Sequence, residues 1–347
     1  MAYSLRRGEP IDEAATRIIR DQTNAALAVL LTAQTSERST VALEARKRCK
    51  KVRGVLRLVR EPLGDQYRVT DQAYRAVAHA LAARREAEAN LATFDRLLAA
   101  SPREAIPPDR FCLIREELAR RAAATCEPAM GTASTSASSV RHQPGGDEIG
   151  EHEAGDPAAT AARLLSERLE DLVTWSFAVD GWSALNDGVH RTYRRGITSL
   201  DQVIADPSPD GYHELRKRAK YTWYHLRLLR RSARSVLVPF AEQFHRLTIG
   251  LGDVNDLAEL AENILASPDA FGGEAAADHA IMVMDERRTL LEDGCLGLAV
   301  RLYAEPPDEL SDRLGRYWRS WQRYGDEQPL RSIRPRRVAR SSSRTGP

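Results

Sequence analysis

The sequence has little of several features that mark common classes of protein. Its 347 residues include four cysteines, none in a C-x-x-C spacing, which argues against a disulfide framework or a structural zinc site. No apolar run approaches the roughly 18 residues that a membrane span needs, and no basic-then-apolar signal peptide opens the chain. A reducing cytoplasm is therefore the expected compartment. Aromatic residues make up only 6% and alternating β-branched runs are scarce, so the pattern disfavours strands.

Lysine is also scarce, and its placement is uneven. The net charge is only +2, yet residues 41–60 and 213–234 hold 16 of the 51 basic residues and only two acids. All five lysines of the chain lie in these two segments, at positions 47, 50, 51, 217 and 220. A strong local positive field is thus compatible with a nearly neutral chain.

Hydrophobic periodicity predicts helices nearly throughout, with proline and glycine at the breaks. The predicted helices lie near 10–34, 39–60, 68–83, 84–100, 109–126, 158–179, 181–204, 211–235, 236–251, 253–267, 275–303 and 308–324. Helices of this length with short connections are expected to pack as antiparallel bundles, which gives an all-α fold.

Composition divides the chain into two helical repeats, 1–126 and 158–325. Residues 127–157 are rich in Ser, Thr, Gly and acids, so we expect a disordered linker there. The Arg-rich tail at 326–347 is expected to be disordered as well. The linker histidines His142 and His152 are more readily explained as incidental than as metal ligands. No metal or cofactor is expected.

The two halves share an internal repeat. Residues 43–60 read LEARKRCKKVRGVLRLVR and residues 213–230 read HELRKRAKYTWYHLRLLR, with nine of 18 positions identical at an offset of 170. Placed on a helix, the cations of each copy form a stripe beside an apolar stripe that packs into the bundle. The first stripe contains Arg46, Lys50, Arg53, Arg57 and Arg60. The second contains His213, Arg216, Lys217, Lys220, Tyr224, Arg227 and Arg231.

Neither stripe has enough acids of its own to cancel its cations, which repel one another along the helix. We therefore expect either carboxylates on other helices or a polyanion to neutralise them. A solvated or internally salt-bridged face is the alternative that needs no ligand. A further basic group precedes the second copy, where His190, Arg191, Arg194 and Arg195 cluster on one predicted helix.

These segments resemble the CHAD family, the conserved-histidine α-helical domain. The resemblance rests on HRTYRRG at 190–196, HELRKRAK at 213–220 and LGDVNDLAEL at 251–260, with weaker first-half copies at 43–60 and 84–91. It covers roughly residues 5–325 apart from the linker. It implies two pseudo-symmetric four-helix bundles with a basic cleft between them. It also implies non-enzymatic binding of inorganic polyphosphate, often at polyphosphate granules in bacteria.

Carried over by position, the resemblance implies a set of polyphosphate ligands in both halves. They are Arg46, Lys47, Lys50, Arg53, Arg57, His190, Arg191, Arg194, Arg195, His213, Arg216, Lys217, Lys220 and Arg227. The sequence departs from the family pattern at Leu43, where the first repeat should have its signature histidine, and at Arg85-Glu86, where an Arg-Asp pair is expected. The second half is therefore expected to be the stronger site.

Three other functions compete with polyphosphate binding. A nucleic-acid-binding protein is compatible with the basic helices, although Trp223 and Tyr224 are the only stacking groups in the stripes. An enzyme acting on phosphate chains is disfavoured, because neither a Gly-rich phosphate loop nor a strand with alternating glutamates occurs. A scaffold that recruits other proteins to granules is the third. Asp253 and Asp256, which follow Gly252, are expected to cap a helix start rather than to hold basic side chains.

Overall fold

The computed structural model describes residues 3–32, 38–81, 86–101, 108–124, 157–170, 172 and 175–327. Within these ranges the chain forms twelve α-helices, one short 3-10 helix and no strand, which confirms the all-α fold class. The helices are α1 Ile11–Thr32, α2 Arg38–Leu58, α3 Arg60–Leu63, α4 Gln66–Ala80, α5 Glu86–Ala100, α6 Pro108–Ala124, α7 Pro157–Glu170, α8 Trp182–Ala205, α9 Pro209–Leu229, α10 Arg234–Leu265, α11 Glu274–Leu302 and α12 Pro307–Tyr324. The 3-10 helix Pro268–Phe271 joins α10 to α11.

The start of α9 illustrates how local sequence sets a helix end. Ser208 has an extended backbone, and its hydroxyl accepts a hydrogen bond from the amide of Gly211 at 3.2 Å. Pro209 follows at the first helical position, where its missing amide hydrogen has no intrahelical partner to lose. Asp210 in the first turn complements the positive end of the helix dipole. The chain therefore enters the second basic helix at a fixed point.

Two apolar clusters form the core. The larger one joins α1, α2, α4, α7, α8, α9 and α12 with the first half of α10 and the end of α11. The smaller one joins α5, α6 and the 3-10 helix with the second half of α10 and most of α11. In this arrangement α7 packs on α1 and α4, whereas α5 and α6 pack on α10 and α11. Helices near the middle of the chain thus pack across the predicted division into halves.

The structure corrects two predicted helix boundaries. The break expected near Gly252 does not occur, because α10 runs unbroken from Arg234 to Leu265. Gly252 stays helical and buried there, and the Arg216 guanidinium lies against it, 2.9 Å from where a Cβ would be. The helix expected at 158–179 ends at Glu170, and residues 175–177 are not helical.

Several predicted features lie outside the described residues. They are nearly all of the linker at 127–157 with His142 and His152, nearly all of the tail at 326–347, Cys126 and Arg85. The division into repeats at 1–126 and 158–325 stays a prediction. No helix in the described ranges combines the length and the apolar character that crossing a membrane requires.

Candidate anion-binding site

The two repeated basic helices, α2 and α9, cross in direct contact. A Cβ added to Gly54 would lie 3.0 Å from the Cβ of Tyr224 and 2.9 Å from the hydroxyl of Tyr3. Gly188 brings α8 even closer to α2, since a Cβ there would overlap the backbone carbonyl of Leu58. Because these positions carry no side chain, the helix backbones approach closely. The side chains that flank the contact on α2, α8 and α9 are therefore gathered around one point.

A buried histidine joins the two helices at this crossing. The Nε2 of His225 donates a hydrogen bond to the backbone carbonyl of Gly54 at 3.1 Å. Burial lowers the pKa of His225 to about 3, and the nearby cations Arg57 and Arg191 lower it further against the opposing effect of the hydrogen bond. The imidazole is therefore neutral at physiological pH, and it ties α9 to α2 without adding charge.

Asp71 on α4 neutralises part of the α2 stripe. Its carboxylate accepts two hydrogen bonds from Arg53, at 2.9 and 3.1 Å, and one from Arg57 at 2.8 Å. Burial opposes the ionisation of Asp71, but the hydrogen bonds and charges of the two arginines hold its pKa below the ordinary value. Arg57 also stacks on Tyr221 of α9, with its guanidinium carbon 4.0 Å from the ring centre. A carboxylate on another helix thus fixes two of the five stripe cations.

Cations from four helices meet on one side of the crossing. We call Arg57, Arg60, Arg191, Arg195 and Arg218 the first cluster. Burial lowers the pKa of Arg195, and its neighbours Arg218, Arg60 and Arg57 lower it further. Burial and the charges of Arg60, Arg195 and Arg194 lower the pKa of Arg191 to about 10, even though Arg191 pairs with Glu61. Asp71, Glu61 and Glu214 pair with three of the five cations, and no carboxylate of the described residues pairs with the other two, so the positive charge of the first cluster is only partly balanced.

A second group of cations lies on the other side of the crossing of α2 and α9. We call Arg48, Lys51, Arg227 and Arg230 the second cluster. Burial lowers the pKa of Lys51 to about 8, assisted by the charges of Arg48 and Arg227. Arg227 stacks on the rings of Trp223 and Tyr3, at 4.9 and 5.5 Å from their centres. Burial and the charge of Arg227 likewise lower the pKa of Arg230.

A comparison with protein-family models identifies the family of the chain. The family model of the CHAD domain matches residues 17–265, which include α2, α8 and α9. The chain belongs to the CHAD domain family. That family is associated with the binding of inorganic polyphosphate. No curated protein matches the chain.

The first turns of α9 carry the signature histidine of the CHAD domain, His213, on a face beside α10. The Nδ2 of Asn255 lies 3.3 Å from the Nδ1 of His213 and donates to it in the neutral tautomer that carries its proton on Nε2. Burial and the charges of Lys217 and Arg216 lower the pKa of His213. The neutral imidazole is therefore the main form near pH 7.

The predicted ligands of this CHAD domain fall into three groups. Carboxylates of the chain pair with Lys47, Arg53, Arg57, His190, Arg191 and Lys217. No carboxylate of the described ranges forms an ion pair with Arg194, Arg195, His213, Arg216 or Arg227. The last three, Arg46, Lys50 and Lys220, lie half-buried on α2 and α9. The structure brings Arg57, Arg191 and Arg195 into the first cluster and Arg227 into the second, while His213, Arg216 and Lys217 lie further along α9.

One residue of the predicted α9 stripe does not face outward. Tyr224 is 3% exposed, because α2 crosses α9 at that position. The helical-wheel argument treated each helix alone, and an isolated helix gives no sign of a second helix that covers part of its polar face. Tyr224 is therefore part of the contact between the repeats rather than of the basic surface.

Sequence reasoning left five cluster members out of the ligand set: Arg48, Lys51, Arg60, Arg218 and Arg230. The repeat contained a usable signal for four of them, because Arg60 and Arg230 are identical at the offset of 170. Arg48 and Arg218 are identical at the same offset, as are Glu44 and Glu214, which pair with them. On the wheel, Arg48 and Arg218 lie beside the stripe rather than within it. The crossing then brings these flanking positions next to the stripe of the other helix.

The structure also corrects the interpretation of Asp253 and Asp256. Neither caps a helix, because both lie in the interior of α10. Their carboxylates flank Arg96 of α5 instead, at 3.7 and 3.2 Å. Arg96 and Asp253 line a cavity of about 320 Å³ together with Arg287 and the apolar side chains of Leu257 and Leu291. The alternative, in which these acids hold a basic side chain, is the one that the structure supports.

Proposed function

We propose that this protein binds inorganic polyphosphate, without chemical change to the polymer, at the crossing of α2, α8 and α9. One observation carries the proposal. Cations from both repeats meet at the crossing, and no carboxylate of the described ranges forms an ion pair with Arg60, Arg195 or Arg227 among them. An external anion would supply the missing charge.

The side-chain chemistry suits a phosphate polymer. Arginine presents two parallel N–H donors to phosphate oxygens, and stacking on tyrosine or tryptophan holds the guanidinium plane in place. Arg57 on Tyr221, Arg60 on Tyr67 and Arg227 on Trp223 all have this geometry. Polyphosphate repeats one charged unit and has no bases to recognise. A surface made of arginine forks therefore matches it, and affinity should arise largely from counterion release.

Nucleic acid fits the crossing less well, because the aromatic side chains are already occupied. Proteins that bind single strands stack bases on exposed aromatic rings. Tyr224 is buried, and the ring of Trp223 is flanked by Arg227 and by His245, whose ring centre is 4.3 Å away. This leaves the phosphate backbone as the only part of a nucleic acid that the basic surface could contact.

A competition titration tests the proposal directly. Labelled long-chain polyphosphate is bound at physiological salt and displaced with unlabelled polyphosphate, DNA, RNA or ATP at equal phosphate concentration. We expect polyphosphate to compete at least tenfold better than the others, and gel analysis to show the same chain length after incubation. Equal competition by DNA or RNA would favour the nucleic-acid alternative, and shortened chains would show an enzyme.

Charge reversal separates specific binding from general attraction. Arg60→Glu with Arg195→Glu should weaken polyphosphate binding far more than the same change at two arginines of the tail, Arg336 and Arg337. Equal losses would indicate nonspecific attraction. We further propose that the protein acts at polyphosphate granules, either as a binder of the polymer or as a scaffold for other granule proteins. A fluorescent fusion should concentrate on granules and lose this pattern with the Arg60→Glu/Arg195→Glu double variant.

A further inference from the structure

The two cation clusters are built from equivalent positions with the helices exchanged. In the first, Arg57 of α2 meets Tyr221 of α9, and Arg218 adds its charge. In the second, Arg227 of α9 meets Lys51 of α2, and Arg48 adds its charge. Arg57 and Arg227, Lys51 and Tyr221, and Arg48 and Arg218 are pairs at the offset of 170. Each cluster thus combines the outward stripe of one repeat with the flank of the other.

The helix crossing separates the clusters. Gly54 and Tyr224 are in contact between them, and His225 is buried beside this contact. On α2, Lys51 and Arg57 lie three residues to either side of Gly54, which places them about 9 Å apart along the helix axis. The arginines whose charges lower the pKa of Arg195 are Arg57, Arg60 and Arg218. Those that lower the pKa of Lys51 are Arg48 and Arg227. The two sets share no member.

We propose that the two clusters are separate phosphate subsites, and that the ligand they fit is a polyphosphate chain long enough to occupy both at once. These subsites refine the proposed polyphosphate site and depend on it. A short anion such as tripolyphosphate fills one cluster. A longer chain bound in the first cluster extends past the crossing into the second. Because it is already bound, filling the second cluster costs no further loss of translational freedom.

This geometry makes chain length the main determinant of affinity. Joining two weak sites through one flexible ligand raises affinity by about 10²- to 10⁴-fold when the ligand spans both. The gain disappears if either site is lost, because the remaining contacts are those of a single cluster. A single continuous basic surface behaves differently, since each added phosphate then adds a similar small increment and no cluster is indispensable.

The test compares tripolyphosphate with long-chain polyphosphate in four forms of the full-length protein. Affinity is expressed per phosphate residue, so that the larger number of binding registers on a long chain does not count as a gain. Three double variants each remove two positive charges, in the first cluster, in the second cluster, or on α12 as a matched control. They are Arg60→Gln/Arg195→Gln, Arg227→Gln/Arg230→Gln and Arg316→Gln/Arg319→Gln.

The wild type and the control should bind long chains at least 100-fold more tightly than tripolyphosphate, and calorimetry at low ionic strength should count two tripolyphosphates per protein. Each cluster variant should keep one tripolyphosphate and a gain below tenfold. Only one tripolyphosphate on the wild type, or a gain that survives loss of either cluster, would overturn the two-subsite arrangement. Failure of every form to bind any polyphosphate would instead refute the proposed function.

Discussion

Replacing Asp71 by asparagine isolates the role of the chain's own anions at the crossing. The carboxylate holds Arg53 and Arg57 through three hydrogen bonds of 2.8 to 3.1 Å, and all three side chains are less than 20% exposed. The asparagine side chain would keep the shape and one acceptor oxygen but would lose the negative charge. Arg53 and Arg57 would then lack a charged partner on α4 and could turn towards a bound polymer, with Arg57 giving up its contacts to the Tyr221 ring and the Arg53 carbonyl.

Two opposing effects decide how affinity changes. A charge about 8 Å from the nearest phosphate contributes ~2 kcal/mol of repulsion at an effective dielectric constant of ~20, and its removal favours binding. Salt at about 0.15 M screens this to below about 1 kcal/mol, because the Debye length is then ~8 Å. Ordering each released arginine costs about 0.5–1.5 kcal/mol. We therefore expect Asp71→Asn to bind polyphosphate several-fold more tightly at low salt and no more tightly at physiological salt.

The same substitution should weaken the fold. Hydrogen bonds between charged groups contribute about 1.5–3 kcal/mol each when partly buried, and asparagine replaces only part of this set. We expect the free energy of unfolding to fall by about 2–3 kcal/mol in urea denaturation. The matched control is Glu167→Gln on α7, where an exposed carboxylate pairs with Arg163 in the same helix. That pair should contribute less than about 0.5 kcal/mol.

Fluorescence titration of labelled polyphosphate at several salt concentrations provides the decisive measurement. Each phosphate contact adds about 0.7–0.9 to the magnitude of the slope of log K against log salt concentration. Because Asp71→Asn releases two arginines, its slope should become steeper by the amount expected for one or two added contacts. Weaker binding at low salt with an unchanged slope would refute this reasoning. It would mean that the polymer contacts Arg53 and Arg57 in the geometry that Asp71 imposes.

Two further predictions concern charge and packing at the crossing. Because the pKa of Lys51 is about 8 in the folded protein, below that of an unfolded lysine, the unfolded state binds more protons between those values. The free energy of unfolding should therefore rise from pH 8 to pH 10, whereas the affinity for polyphosphate should fall. Lys51→Gln should flatten both pH profiles, and the control variant Lys217→Gln should flatten neither. Gly188→Ala should destabilise the protein by more than about 2 kcal/mol in thermal unfolding, since the new methyl group overlaps the backbone of Leu58. The control Gly297→Ala, in open space on α11, should be neutral or stabilising by up to about 1 kcal/mol. Equal effects of the two substitutions would contradict the close contact between Gly188 and Leu58.

The fold class and the basic helices could be predicted because they depend on local patterns. The 3.6-residue periodicity and the offset of 170 depend on sequence alone, so both ends of α2 and the start of α9 were predicted within two residues, while α9 ends six residues before the predicted end at 235. The merged helix α10 could not be predicted, because glycine is tolerated inside a helix when packing favours it. At Gly252 the favourable packing is the approach of Arg216, a residue 36 positions away. A sequence pattern does not contain such a contact.

The candidate site was predictable in its charge and less so in its geometry. Counting cations identified the stripes and the basic group on α8, but it could not show that Asp71 pairs with Arg53 and that Glu61 pairs with Arg191. It also could not show that Tyr224 is buried where two helices cross. The angular positions of Arg48 and Arg218 became meaningful only once the partner helix was known. Pairwise geometry between distant segments, rather than residue type, was the missing information.

The packing of the central helices has a practical consequence for dissecting the molecule. Since α7 completes the core around α1 and α4, while α5 and α6 complete the core around α10 and α11, cutting the chain between α6 and α7 leaves each piece without helices that it needs. Neither piece should be stable when produced alone. Mixed or co-expressed, the two pieces should restore each other, which makes the chain a natural candidate for a split reporter whose reassembly is read out by phosphate-polymer capture.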